Sequence, residues 1–356
     1  MCEKQTLVAL TGPTAAGKTA LSLALAKALD GEIISADSMQ VYRRMDIGTA
    51  KITAAEMQGV PHHLIDILEP EENFDAMRFQ KLAKQAIEEI QARGKVPILV
   101  GGTGFYLQTV LYEVPFSEES RDEAVHAALT ERRAREGIAS LYAELSAVDP
   151  DAAAQIHPNN EKRVLRALEY FLSSGERISR HNAEARERQS PYALSYFVLN
   201  MERQSLYRRI DARVEAMFRA GLVEEVRSLA ARGVPRTATS MQGIGYHELF
   251  DYLDSKADLL RCKERVKLDT RHFAKRQLTW FRRERDAEWF LREDYASEQA
   301  IAAEMLRRVK REGKRRDECR IGREFTGYVP RGGAVRTRVS ARRGSGGAVQ
   351  GAVCGN

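Results

Sequence analysis

Residues 12–19 read Gly12-Pro13-Thr14-Ala15-Ala16-Gly17-Lys18-Thr19, a complete G-x-x-x-x-G-K-T phosphate loop. The apolar run before it, Leu7-Val8-Ala9-Leu10, has the length of a buried parallel strand, and an Ala/Leu-rich helical stretch runs from Thr19 to Leu29. Strand, turn and helix together make an anion site. Glycines let backbone N–H groups turn inward, the helix N-terminus adds partial positive charge, Lys18 adds a full one, and the Thr19 hydroxyl can hold Mg2+. The loop defines neither the phosphate compound nor the bond that breaks.

The pattern around the loop extends the constraint. Further strands are expected at Glu32–Ala36, His63–Ile67 and Val96–Val100, with helices at Asp75–Arg93 and Phe105–Leu111. This βαβ alternation predicts an α/β fold: a P-loop NTPase-like parallel sheet flanked by helices, with the strand C-terminal ends converging on one cleft. From about Ser117 to Ser190 strand signals vanish, and helices are expected at Ser120–Glu136, Ile138–Val148, Ala152–Ile156 and Glu161–Ser173. The chain returns to the sheet at Tyr196–Asn200. Helices follow at Gln204–Arg232, Gly245–Leu253 and Lys256 to about Arg285, then a strand at Glu288–Leu291 and a last helix to about Arg311. The expected organisation is a catalytic core of residues 1–115 and 195–312, an all-helical insertion domain at 116–194, and a disordered C-terminal tail at 313–356.

Charge follows that division. The chain of 356 residues carries net +6, but Lys314–Asn356 holds ten Lys/Arg against three Asp/Glu, so the remainder is close to neutral. The tail is also rich in glycine and lacks apolar periodicity, a composition that cannot offset its ordering entropy. Nucleic-acid binding must therefore rest on local clusters. One pairs Arg163 with Arg166 on a helix face. A second contains Arg203, Arg208, Arg209 and Arg213. The third runs from Lys263 to Arg285, with Trp280 and Phe281 interleaved and no acidic residue from Arg271 to Arg283. No apolar run reaches membrane-spanning length and no signal segment precedes the first strand. Cys2, Cys262, Cys319 and Cys354 share no metal-ligand spacing, which fits a reducing, cytoplasmic location.

Two further segments carry chemistry. Asp37, after the second strand, suits a magnesium carboxylate or a general base, against an ordinary turn aspartate. Gly101-Gly102-Thr103-Gly104 follows another strand and permits close backbone approach, with Thr103 offering a hydroxyl. Asp66 after His62-His63-Leu64-Ile65 looks like a second-shell magnesium carboxylate, and the two histidines read as structural.

Taken together, several segments resemble the bacterial tRNA dimethylallyltransferase (isopentenyl-diphosphate tRNA transferase) family. They are Gly12–Thr19, Ser35-Ala36-Asp37-Ser38-Met39-Gln40-Val41-Tyr42-Arg43, Met45–Lys51, His62–Asp66, Gly101–Gly104, Ile156-His157-Pro158-Asn159-Asn160, Ile244-Gly245-Tyr246, and Thr270–Arg271 with Ala274–Gln277 and Thr279–Arg282. The resemblance covers about residues 6–310. It implies that dimethylallyl diphosphate binds at Gly12, Pro13, Thr14, Ala15, Ala16, Gly17, Lys18 and Thr19. The dimethylallyl group then passes to N6 of the adenosine 3′-adjacent to a tRNA anticodon. It implies Asp37 as general base on that amine, Thr103 near the adenine, and Lys18, Thr19 and one of Arg209 and Arg213 on the departing diphosphate, with Mg2+ assisting at Thr19. The tRNA anticodon stem-loop would meet Asp37, Ser38, Met39, Gln40 and Thr103. It would also meet Lys162, Arg163, Val164, Leu165 and Arg166, and Gln242, Gly243, Ile244, Gly245, Tyr246 and His247. The expected enzyme is a cytoplasmic monomer without a membrane partner. The tail beyond about Arg311 has no counterpart in the family, and the zinc finger of eukaryotic relatives is absent. The alternatives are a P-loop small-molecule kinase, a non-catalytic nucleotide-binding RNA module, and a prenyltransferase acting on free adenine nucleotides.

Overall fold

The computed structural model describes residues 4–115 and 123–311. Six strands form one parallel sheet: β1 (Thr6–Thr11), β2 (Gly31–Ala36), β3 (His62–His63), β4 (Val96–Gly101), β5 (Ala193–Asn200) and β6 (Ala287–Leu291), in the order β3-β2-β4-β1-β5-β6. The central strands are buried on both faces, so they read as unbroken apolar runs rather than alternating ones. Alternate residues still part company. Leu7, Ala9, Ile34, Leu99 and Val198 face a cluster with Phe79, Ile87 and Ile90 of α2 (Ala76–Ala92) and Leu107 of α3 (Gly104–Leu111). Val8, Leu10, Ile33, Ile98 and Leu199 face Leu21 and Leu25 of α1 (Lys18–Leu29), and Ile301 and Met305 of the last helix, residues 298–311.

Between α3 and β5 the described chain is helical throughout: α4 (Glu123–Glu136), α5 (Ile138–Val148), α6 (Pro150–Gln155), α7 (Glu161–Ser174) and α8 (Ile178–Glu187). These helices own an apolar cluster of Leu129, Leu141, Leu145, Val164, Ala167 and Leu168. Two Asx caps set their entries: Asp149 accepts from Ala152 N, and Asn160 accepts from Arg163 N. After β5 come α9 (Arg203–Arg219), α10 (Leu222–Ala231), α11 (Phe250–Leu253) and α12 (Leu259–Phe281).

Some expected elements differ. The single helix expected over Gln204–Arg232 breaks into α9 and α10 at Gly221, whose φ of 102° is incompatible with a continuous helix. Gly245–Leu253 holds only a 3-10 turn and the one-turn α11, with Gly245 at φ 95°. The strand expected at His63–Ile67 stops at His63, because Leu64 and Asp66 take positive φ. Helix α8 had no periodic apolar signal to announce it. The expectation of a disordered tail at 313–356, and the start of the insertion before residue 123, lie outside the described residues. Among the described residues, no helix is long and apolar enough to cross a membrane.

Candidate active site

Strand register builds the site. Ala36 pairs with Gly101, Gly101 with Thr11, and Thr11 with Val198. Three chemically distinct segments therefore leave β2, β4 and β1 at the same level: Asp37, Gly102-Thr103 and Gly12. Thr103 N donates to Ala36 O at 3.4 Å, which ties two of them together. Gly12 is required by packing, since a Cβ there would lie 2.1 Å from Leu199 O of β5.

Within the loop, Lys18 Nζ donates to Gly12 O and Pro13 O at 2.8 Å each. Ala15 at φ 64° and Gly17 at φ 95° give the backbone its inward turn. Burial, with the nearby Arg213 cation adding to it, pulls the Lys18 ammonium down to about 7, while Asp37 works in the opposite direction. Burial, then the neighbouring Arg209, also lowers Arg213, and Asp37 again opposes. Lys18, Asp37, Arg209 and Arg213 thus form one interacting group, brought together by the fold from the start of α1, the end of β2 and α9.

Both candidate arginines reach the loop. Arg209 Nε donates to Ala15 O at 2.9 Å, and Arg213 Nη1 donates to Thr14 Oγ1 at 3.3 Å. Their spacing of four residues puts them on one face of α9. Thr19 is exposed at the start of α1, and its hydroxyl has no hydrogen bond among the described residues. Asp37 Oδ1 accepts from Met39 N at 2.8 Å and Gln40 N at 3.3 Å. That Asx turn fixes the carboxylate and leaves Oδ2 without a hydrogen bond among the described residues. The Thr103 hydroxyl makes no capping bond to α3, although it sits at the N-cap.

The glycines of 101–104 are explained by α12. A Cβ on Gly102 would lie 2.2 Å from Gln277 Nε2, and one on Gly104 would lie 2.2 Å from Trp280 Cδ1. Gln277 is buried and bridges two loops: its Oε1 accepts from Thr14 N at 2.9 Å, and its Nε2 donates to Gly102 O at 3.0 Å. Gln277 belongs to the Ala274–Gln277 segment of the family resemblance, but neither composition nor spacing gives it a role, because its task needs one amide between two loops that are distant in sequence.

Beside Thr103, Phe105 and Trp280 meet edge to face at 6.2 Å. Both line a cleft of about 1030 Å3 between α3, α12 and the insertion helices α6, α7 and α8. Lys162, Arg163 and Arg166 line one wall, Arg283 and Arg285 another, and Glu284 lies among them. Burial, aided by the charge of Asp286, pushes the Glu284 carboxyl up to about 7.

Several expected roles need correction. Val164 and Tyr246 are fully buried, so their side chains are not available to a ligand at the surface. Tyr246 donates to Glu225 Oε1 at 2.6 Å, and the same carboxylate accepts from the backbone N–H of Asp46, Ile47 and Gly48. Of Gln242–His247, only Gln242 and His247 are exposed. Asp66 is no magnesium carboxylate: it pairs with Lys51 at 2.5 Å on the edge of the sheet. His63 bonds the buried Glu32 at 2.7 Å, together with Arg93, a structural cluster. The third basic run is also partly neutralised. Arg271 pairs with Asp211, and Lys263 and Lys267 pair with Glu215, all across to α9. Among the described residues, Lys275, Arg276, Arg282 and Arg283 are exposed and have no ion pair.

Comparison with known proteins identifies the family. A family model described as IPP transferase matches residues 40–284. A tRNA dimethylallyltransferase of Lachnoclostridium phytofermentans is 54% identical over 303 residues, 85% of this chain and 97% of the relative. One of Bacillus subtilis is 50% identical over 287 residues, 81% and 91% of the two chains. Among solved structures, the tRNA isopentenylpyrophosphate transferase of Bacillus halodurans aligns with a TM-score of 0.66 at 44% identity, covering 88% of this chain and all of that one. A eukaryotic dimethylallyltransferase, described as acting on tRNA, aligns with a TM-score of 0.70 at 30% identity, covering 83% and 78%. Matched by the family model over residues 40–284 and about half identical to curated relatives across more than four-fifths of its length, the chain belongs to the IPP transferase family of tRNA dimethylallyltransferases.

Proposed function

We propose that the chain transfers the dimethylallyl group of dimethylallyl diphosphate to N6 of the adenosine next to the anticodon in tRNA, releasing diphosphate, with the residues above in the following roles. The observation that carries the assignment is the grouping of one carboxylate, Asp37, with three cations, Lys18, Arg209 and Arg213, around the phosphate loop. An allylic diphosphate ionises so that carbon becomes cationic and negative charge grows on the leaving group. Loop N–H groups, Lys18 and Arg213 stand where that charge grows. Arg213 is the better clamp of the two arginines, because its charge acts on Lys18 and is itself acted on by Asp37, while Arg209 braces the loop at Ala15 O. The exocyclic amine is a poor nucleophile. Asp37 Oδ2 accepts its proton as the N–C bond forms, and Thr103 orients the base.

Thr19 fits a magnesium ion held jointly with the diphosphate. Its hydroxyl is unpaired, and among the described residues no cluster of acidic, His or Cys side chains forms a protein cage. Bound there, Mg2+ supplies further charge stabilisation of the leaving group. Residues 116–194 act as a tRNA-binding insertion, the target base being extruded past Phe105 and Trp280 toward Thr103. Lys162, Arg163 and Arg166 would contact the anticodon stem-loop from the insertion side, with Ser38, Met39, Gln40, Gln242 and His247 at the core. We place the enzyme in the cytoplasm, as a monomer.

The test uses purified protein, Mg2+, bulk tRNA and labelled dimethylallyl diphosphate, with labelled ATP in a parallel tube. Label entering tRNA from the prenyl donor supports the reading. Phosphoryl transfer or hydrolysis from ATP with unlabelled tRNA overturns it in favour of a kinase or NTPase.

A further inference from the structure

A third arginine reaches the phosphate loop, from a part of the chain that no motif marks. Arg292 follows β6. Its Nη1 donates to Ala16 O at 3.3 Å, and its Nη2 pairs with Glu298 on the last helix. The guanidinium lies close against the loop, since a Cβ at Gly17 would come within 2.6 Å of Nη1. The mount is firm. Ile301 and Met305 bury the helix that carries Glu298, and Glu202 N at the head of α9 donates to Glu293 Oε1 at 3.0 Å.

The consequence follows from peptide geometry. In a planar trans peptide the C=O and the next N–H point in opposite directions. Holding the Ala16 carbonyl outward therefore aims the Gly17 N–H inward. The preceding amide does not share this task, because Ala16 N already donates to Pro13 O within the loop. We propose that Arg292, held by Glu298, is a positioning residue that fixes the Gly17 N–H as a diphosphate donor. Arg209 holds the carbonyl one peptide earlier, Ala15 O; the N–H of that peptide, on Ala16, is taken up by Pro13 O and so is not aimed at the anion. A positive charge behind the peptide also polarises it, strengthening the N–H toward an anion. The inference rests on the reading that the loop holds the prenyl diphosphate.

The test titrates inorganic pyrophosphate with Mg2+ into the wild-type chain and into Arg292→Met, Arg292→Lys, Glu298→Gln and Lys18→Met. Steady-state KM values for prenyl donor and tRNA are measured alongside. A charge-assisted donor is lost in Arg292→Met, so the pyrophosphate Kd and the donor KM rise about tenfold. The tRNA KM stays within about twofold, since Arg292 lies on the loop and not in the cleft. Arg292→Lys restores part of the loss, and Glu298→Gln weakens binding less than Arg292→Met. An unchanged Kd in Arg292→Met, with binding abolished in Lys18→Met, overturns this inference alone. A parallel rise in the tRNA KM overturns it too, by making Arg292 a general structural support. Pyrophosphate binding that survives Lys18→Met overturns the diphosphate reading itself.

Discussion

Asp37 has two oxygens with two tasks. Oδ1 holds the turn through Met39 N and Gln40 N, and Oδ2 is free to take a proton. Asparagine keeps an acceptor at the first position and removes the base at the second. Asp37→Asn is thus expected to lower kcat by about 10²- to 10⁴-fold while the tRNA KM changes little. A matching loss of tRNA affinity, measured by steady-state kinetics, would make Asp37 an RNA contact. Lys18 adds a pH signature. With its ammonium pulled down to about 7, free enzyme carries the cation below that pH and loses it above. The kcat/KM for the prenyl donor is expected to be flat below about pH 7 and to fall toward tenfold per unit above it. Lys18→Arg, slower but always charged, should lose this alkaline fall. Retention of the fall in Lys18→Arg would assign it to another group.

At the scale of elements, α12 decides more than its charges suggest. Its basic face is partly paired with α9, whereas Gln277 and Trp280 on the same helix pack into the backbone of the phosphate loop and of 101–104. Gln277→Ala strips a partner from Thr14 N and from Gly102 O at once. The expected cost is about 1–3 kcal/mol in chemical denaturation, with a higher KM for the prenyl donor. Unchanged stability and KM would show that the two loops hold their shapes unaided. The contrast explains what was legible in the sequence. Periodic apolar patterns and strand-ending motifs located β1, β2, β4, α1 and the Asp37 and Thr103 segments, because those signals are local. Gln277, Arg292 and the break at Gly221 depend on long-range packing. Tyr246 was visible as part of a motif, but its burial against Gly48 was not, since only the fold brings the 46–48 turn beneath it.

Across the whole molecule, core and insertion enclose a cleft whose walls carry Lys162, Arg163, Arg166, Arg283 and Arg285. Such a surface attracts the phosphates of an RNA loop, and its one poorly solvated acid, Glu284, works against that attraction when ionised. Burial raises this carboxyl to about 7, so it is largely neutral at pH 6 and largely charged at pH 8. The sign follows. Raising the pH through 7 adds a negative charge to an anion-binding wall and weakens tRNA binding. Raising the pH changes more than one charge in a chain of this size, so the informative quantity is a difference between two proteins. Wild-type affinity for an anticodon stem-loop is expected to weaken from pH 6 to 8 by about threefold more than that of Glu284→Gln, in line with one partly screened charge. The excess should shrink as salt is added, because screening acts on the same charge. Equal pH dependence in the two proteins, read by fluorescence anisotropy, would mean that Glu284 lies outside the path of the RNA. The opposite sign would make it an acceptor for a base in the cleft.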